Sequence, residues 1–457
     1  TGVQTCALPI SDFIVQNSIL FYMLFCRNSF CVGIIYFAGE MYSRGYAHWE
    51  DKMKKVLNII LSVILCLSVI SPCFAIQSFA ETGDETTLQF KNGKFRILVF
   101  ADPQDDLNPC EETLDLMYAS IEAAKPDLVV FTGDNIHGPS PVLYRSKKRV
   151  EKAIRQIMEP VTSQNIPFAI VYGNHDDEGK VSKQFQMAVY NSMPGCLASE
   201  GEAMTGCGNY NLPIKSSDGA KNVFNLWFID SGTYDKENGG YAHVAEDQLA
   251  WYKKTSDALK AENGGEPMPS LLFQHIPVPE IYELLKEVPK GTDGAVKKDG
   301  KYYVLNTDIA SGHLDEGPCP AKVNGGEFDA WKQQGDIKAA FFGHDHNNDF
   351  CGTYEGIDMV HTSGVGFYIY GNGPLHGSRV IDIDENTLDY STYMMYYNDL
   401  VGYKSSNKAR YYEGQYVHNI KIAAFSAGAV IIALTAGLIT RGVKKSKAKK
   451  ALKNNQK

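Results

Sequence analysis

The chain has 457 residues, 44% hydrophobic and 21% charged, ordinary globular usage that excludes a disordered, collagen-like or disulfide-scaffold protein. The net charge of −9 hides an asymmetry: residues 441–457 hold Arg441 and seven lysines without one acid, so the acidic excess lies upstream. An acidic body repels polyanions, which argues against nucleic acid as a bulk partner.

Residues 1–52 read as adapter-derived or upstream translation, since 1–10 resembles a translated sequencing-library adapter and Met53 is the better start. Lys54 and Lys55, the apolar run 56–73 and the small residues Ala75 and Ala80 then form a signal-peptide pattern over 53–80. Cleavage is expected after one of those alanines. The main domain is expected over 81–410, followed by a juxtamembrane stalk, 411–421. Residues 422–440 carry no charge, a length that suffices to cross the ~30 Å hydrocarbon core as a helix. The basic tail 441–457 is then expected in the cytoplasm, which predicts a cell-membrane protein with one C-terminal span and its main domain outside the cell. Of the five cysteines after the signal, Cys110, Cys196, Cys207, Cys319 and Cys351, Cys196 could close a short loop with Cys207 and Cys319 could reach Cys351; spacing leaves the connectivity open, and the odd count leaves one thiol over.

Within the main domain, apolar runs at 95–101, 128–132, 168–172, 223–230, 271–274, 339–343, 359–362 and 380–383 predict strands buried on both faces. The stretches 111–124, 149–162 and 245–259 predict helices, and 192–215 and 287–326 predict loops. The class is α/β. What stands at the strand ends carries the chemistry. Asp102 and Gln104 follow the first strand, Gly133 and Asp134 the second, and Gly173, Asn174, His175, Asp176 and Asp177 the third. His275 follows a later strand, and Gly343, His344, Asp345 and His346 another. Open α/β sheets gather their sites at such ends. Imidazole, carboxylate and amide donors together suit Mn, Fe or Zn, and a pair of ions needs one shared carboxylate.

This ordered set resembles the calcineurin-like metallophosphoesterase superfamily, and GNHDDE and GHDHNNDFCG resemble its purple-acid-phosphatase-like subgroup. The resemblance implies a sandwich of two mixed β-sheets flanked by helices. It implies two divalent metal ions, the first held by Asp102, Gln104 and His346, the second by Asn174, His275 and His344, with Asp134 bridging. His175 would face the leaving group, and Asp176 would orient its ring. The implied activity is hydrolysis of phosphate monoesters by metal-activated water, on a phosphorylated small molecule or phosphoprotein. A phosphodiesterase or nucleotide hydrolase is the alternative, and a surface binding protein that has lost catalysis is another.

Two positions depart from the pattern. Gln104 stands where most members carry His, which predicts a looser first site. His137 stands where the purple enzymes carry a Tyr ligand, so a colourless protein is expected. Taken alone, His275 reads as a core histidine, and only the ordered set makes it a ligand. Tyr368, Tyr370 and the run 393–397 read as core or interface aromatics, Asn348 and Asp349 as loop braces, and Glu178 as a supporting or merely exposed acid.

Overall fold

The computed structural model describes residues 87–402 together with Thr435 and Thr440. The chain first alternates strand and helix: β1 (Lys94–Phe100), α1 (Glu111–Ala124), β2 (Leu128–Thr132), α2 (Lys147–Ile157), α3 (Glu159–Thr162), β3 (Phe168–Val171) and α4 (Lys183–Asn191). The antiparallel pair β4 (Tyr210–Lys215) and β5 (Asn222–Phe228) follows, then α5 (Glu246–Glu262) and β6 (Ser270–Phe273). Four short strands come next: β7 (Leu285–Val288), β8 (Val296–Lys298), β9 (Lys301–Leu305) and β10 (Ala310–Ser311). After α6 (Glu327–Gln334) come β11 (Ile337–Phe342), β12 (Cys351–Tyr354), β13 (Ile357–His361), β14 (Gly377–Asp384), β15 (Tyr390–Tyr396) and the single turn α7 (Tyr397–Leu400).

Two mixed sheets carry the fold, in the orders β15-β14-β1-β2-β3 and β10-β12-β13-β11-β6-β5-β4. In the first, β1, β2 and β3 run parallel; in the second, β13, β11, β6 and β5 do. Alternation along each strand sorts its side chains between two layers. Leu271 and Phe273 of β6 and Ala339 and Phe341 of β11 enter the core shared with β1, β2 and β3. Their neighbours Leu272, Ala340 and Phe342 pack in a second core with Trp251 and Tyr252 of α5 and Trp331 of α6. Burial on both faces is why these strands are unbroken apolar runs. The result is the expected sandwich of two mixed sheets flanked by helices.

The differences from the sequence expectation have local causes. The helix expected over 149–162 is two helices, because Pro160 at the start of α3 has no amide hydrogen to continue the ladder. The expected loop 192–215 ends in β4, and 287–326 contains most of a three-stranded sheet of order β7-β9-β8. In that small sheet Lys286, Glu287, Lys297 and Lys301 interrupt the apolar pattern and are exposed, so no buried run marks it. The cysteine pairings do not form: Cys110, Cys196, Cys207, Cys319 and Cys351 are all free.

The membrane placement is also corrected. Among the described residues, no helix is long and apolar enough to cross a membrane. The expected signal 53–80 and stalk 411–421 lie outside the described residues, as does the span 422–440 except for Thr435 and Thr440, which are helical and exposed.

Candidate metal centre

The parallel strands set the site. β1, β2 and β3 end side by side in one sheet and lead into Asp102, Asp134 and Asn174; β6 and β11 of the other lead into His275, His344 and His346. Four of the candidate ligands have positive φ: Asp102 at 50°, Gln104 at 34°, Asp134 at 48° and His344 at 74°. Side chains rarely adopt this region, and such strain persists only where surrounding bonds enforce it. Those bonds are present. The Gln104 N–H donates to the Asp134 carbonyl at 2.9 Å, and the His344 N–H donates to Asp102 Oδ2 at 3.0 Å. Gly173 permits a close approach, since a Cβ there would stand 2.1 Å from Asp134 Oδ1.

Two buried groups result, Asp134 with His275 and His344, and Asp102 with Asp134 and His346; within each, one donor atom per residue lies within 4.8 Å of the others. Asp134 belongs to both. Its Oδ2 is 3.2 Å from His275 Nε2, His275 Nε2 is 3.2 Å from His344 Nδ1, and Asp102 Oδ1 is 3.4 Å from His346 Nε2. The ring nitrogens that face away are fixed: His275 Nδ1 bonds the Thr132 carbonyl and His346 Nδ1 the Tyr370 carbonyl, each at 2.9 Å. Each ring is thereby held with Nε2 toward the carboxylates, an arrangement usual for metal-binding imidazoles.

The donor chemistry fits divalent cations. Gln104 Oε1 and Asn174 Oδ1, the amide oxygens expected as ligands, are buried without a hydrogen-bond partner, a costly state unless a cation or water meets them. The Asn174 Nδ2 donates to the Tyr234 hydroxyl at 3.2 Å, which leaves Oδ1 as the free acceptor. Burial would raise the Asp134 carboxyl, but the His275 ring beside it holds it well below the usual carboxylate range. Burial would likewise lower His275 and His346, yet Asp134 and Asp102 push both up to about 9. The two carboxylates thus favour positive charge beside them, whereas burial and the neighbouring His275 hold the His344 ring well below its ordinary value.

His175 lies at the edge, with its backbone N–H donating to Asp134 Oδ1 at 2.7 Å. Its ring partner differs from the expected one: Glu178 Oε2, not Asp176, sits 2.8 Å from Nδ1. The Asp176 carboxylate is taken by the backbone N–H groups of Gly173 at 2.7 Å and Asn135 at 2.9 Å, so it shapes the ligand loops. His137 packs its ring 5.2 Å from Tyr368 and 6.5 Å from His175. Asp349 braces loops, accepting from the His313 N–H and the Tyr396 hydroxyl at 2.7 Å each. His361 is fully buried, and burial pushes its ring down to about 3.

Sequence reasoning missed the aromatic edge. Tyr370 stacks on His346 with centroids 4.2 Å apart, Tyr241 meets His344 edge-on at 4.3 Å, and Tyr234 stacks on Tyr241 at 5.5 Å. Tyr234 follows the end of β5, so its place at a strand end was the available signal; its phenol drew no notice among metal donors.

Residues 95–348 match the Calcineurin-like phosphoesterase family. The chain belongs to that family. Among its relatives, "Probable inactive purple acid phosphatase 29" of Arabidopsis thaliana is 31% identical over 72% of this chain and 86% of that protein. "Phosphatase DCR2" of Saccharomyces cerevisiae is 29% identical over 59% of this chain and 47% of that protein. A solved dimetal phosphatase from Danio rerio aligns over 65% of this chain and 98% of its own at 14% identity, with a TM-score of 0.40. This calcineurin-like chain therefore carries a phosphoesterase fold with two Asp/His groups fit for metal ions.

Proposed function

We propose that this calcineurin-like phosphoesterase hydrolyses phosphate monoesters at a dinuclear centre held by Asp102, Gln104, Asp134, Asn174, His275, His344 and His346. One observation carries the reading: two buried Asp/His groups share Asp134, while the amide oxygens of Gln104 and Asn174 lie buried and unpaired. Divalent ions there would supply Lewis acidity and a water of lowered pKa. The chain supplies the remainder. Asp134 fixes the spacing of the two groups, and the carbonyls of Thr132 and Tyr370 lock the imidazoles. His175, held through Nδ1 by Glu178, offers Nε2 to the leaving oxygen as a proton donor.

The names of several relatives favour a second reading, a binding protein without catalysis. The nearly intact donor set, with Gln104 in place of the usual His, speaks for activity. The test is metal content and hydrolysis of 4-nitrophenyl phosphate and its bis-aryl diester, with Asp134→Asn alongside. Two ions per chain and monoester turnover lost in the variant are expected. Preference for the diester would make it a phosphodiesterase, and bound metal without turnover on either substrate would favour the binding protein.

A further inference from the structure

Cations are scarce on this body and unevenly spread. Residues 87–402 hold 27 Lys and Arg against 45 Asp and Glu. Six of the 27 stand within residues 145–155, namely Arg145, Lys147, Lys148, Arg149, Lys152 and Arg155, with Glu151 the one acid among them. All six are exposed. Lys147, Lys148 and Arg149 fill the first turn of α2, which carries no acid and no side-chain cap, and positive charge is disfavoured at that end of a helix. Lys148 and Lys152 stand four residues apart on one face, where like charges repel. Among the described residues, neither has an ion-pair or hydrogen-bond partner, whereas Arg155 has Glu151 at 3.0 Å. The same face borders a groove of about 600 Å³, lined by Lys148, Lys152 and Arg155 and by the half-buried, apolar Pro109 and Leu114. Its two acids are already engaged, Glu151 by Arg155 and Glu159 by the Tyr118 hydroxyl.

We infer that the groove between α1 and α2 docks an acidic segment of a partner protein, its carboxylates meeting Lys148 and Lys152 and an apolar side chain meeting Pro109 and Leu114. Charge complementarity names the partner. Two unpaired ammoniums call for carboxylates, and the apolar surface beside them calls for a side chain that a bare polyanion lacks. A long polyanion would also run onto the acidic remainder of the body, which repels it. The groove contains none of the candidate metal ligands, so the docking site stands independently of the phosphoesterase reading.

Fluorescence anisotropy on the full chain tests this with three labelled peptides of equal length: Glu interspersed with Leu, the same with Gln for Glu, and Glu alone. The Glu/Leu peptide should bind at physiological salt, more weakly as salt rises, and the other two should bind less tightly. Lys148→Gln combined with Lys152→Gln should weaken it about 5- to 30-fold, the equivalent of two exposed ion pairs. Gln forms helix about as well as Lys, so α2 stays intact. Lys260→Gln combined with Lys290→Gln removes the same charge from exposed lysines elsewhere and should leave the Kd unchanged. A Kd unmoved by the α2 pair, or moved equally by the control pair, overturns the inference. Equal binding of the all-Glu peptide overturns it too, since the strip would then be a general polyanion face. Phosphatidylserine vesicles that displace the peptide would make it a lipid-facing surface instead, and absence of Glu/Leu binding at physiological salt leaves no docking site.

Discussion

His175 and Glu178 stand three residues apart on one loop, and their 2.8 Å contact determines what the imidazole can do. With Nδ1 donating to the carboxylate, the ring is held in one orientation with Nε2 turned outward, and in its doubly protonated form Nε2–H is the proton donor to a leaving oxygen. Replacing Glu178 by Gln should lower kcat by about 10–100-fold, the usual cost of losing such a support, while metal content stays at the wild-type value. Glu178→Asp should recover part of the rate. A wild-type kcat for Glu178→Gln would remove the residue from the mechanism. Away from the centre, Glu327 at the start of α6 is buried, and burial pushes its carboxyl up to about 8 from an ordinary value near 4.5. Between those values the folded chain holds a proton that the unfolded chain has released, so this group's contribution makes stability fall as pH rises from about 4.5 to 8. Glu327→Gln cannot ionise and should lose that slope. Urea unfolding should show the variant gaining on wild type by more than about 1 kcal/mol between pH 5 and pH 8. The same difference at both pH values would contradict this.

At the scale of elements, strand ends were legible because the strands feeding them are buried on both faces, so apolar runs stop where donor residues begin. Phe341 and Phe342 lead into Gly343 and His344, and Phe131 and Thr132 into Gly133 and Asp134. What stayed hidden was whatever acts without a motif. The Thr132 and Tyr370 carbonyls lock imidazoles through main-chain atoms that every residue carries. Glu178 holds the His175 ring where Asp176 was expected to, since spacing alone does not say which of two nearby acids turns toward the ring. The strand-end glycines did carry meaning. Gly173→Ala would put a methyl 2.1 Å from Asp134 Oδ1 and 2.5 Å from the Asp134 amide nitrogen, and neither can retreat without moving the carboxylate shared by both metal groups. The variant should fold with a lower Tm and bind less than half the metal of wild type, read by elemental analysis. Full metal content would mean the β2 and β3 loops are softer than their hydrogen bonds indicate.

At the scale of the molecule, the centre joins the two sheets where their strands end. Asp102, Asp134 and Asn174 come from one sheet and His275, His344 and His346 from the other, and direct bonds already cross between them. The His344 N–H reaches Asp102, and His275 Nδ1 meets the Thr132 carbonyl. Four of the ligands also sit in costly positive-φ conformations, and two carboxylates, Asp102 and Asp134, are buried together in one of the groups, so cations there would offset a local cost. Metal binding should act as a clamp. Divalent ion at a hundredfold above its Kd should stabilise chelator-stripped protein by about 2.7 kcal/mol through mass action alone. Any tightly bound ion would do that wherever it sat. The clamp predicts in addition that hydrogen exchange slows together at the ends of β1 and β2 and at the ends of β6 and β11, because opening either sheet breaks ligands of both groups. In Asp134→Asn, which lacks the shared carboxylate, the two sets of amides should respond separately or not at all. Protection confined to one sheet in the wild-type chain would show that the ions belong to that sheet, and that the join between the sheets rests on the core alone.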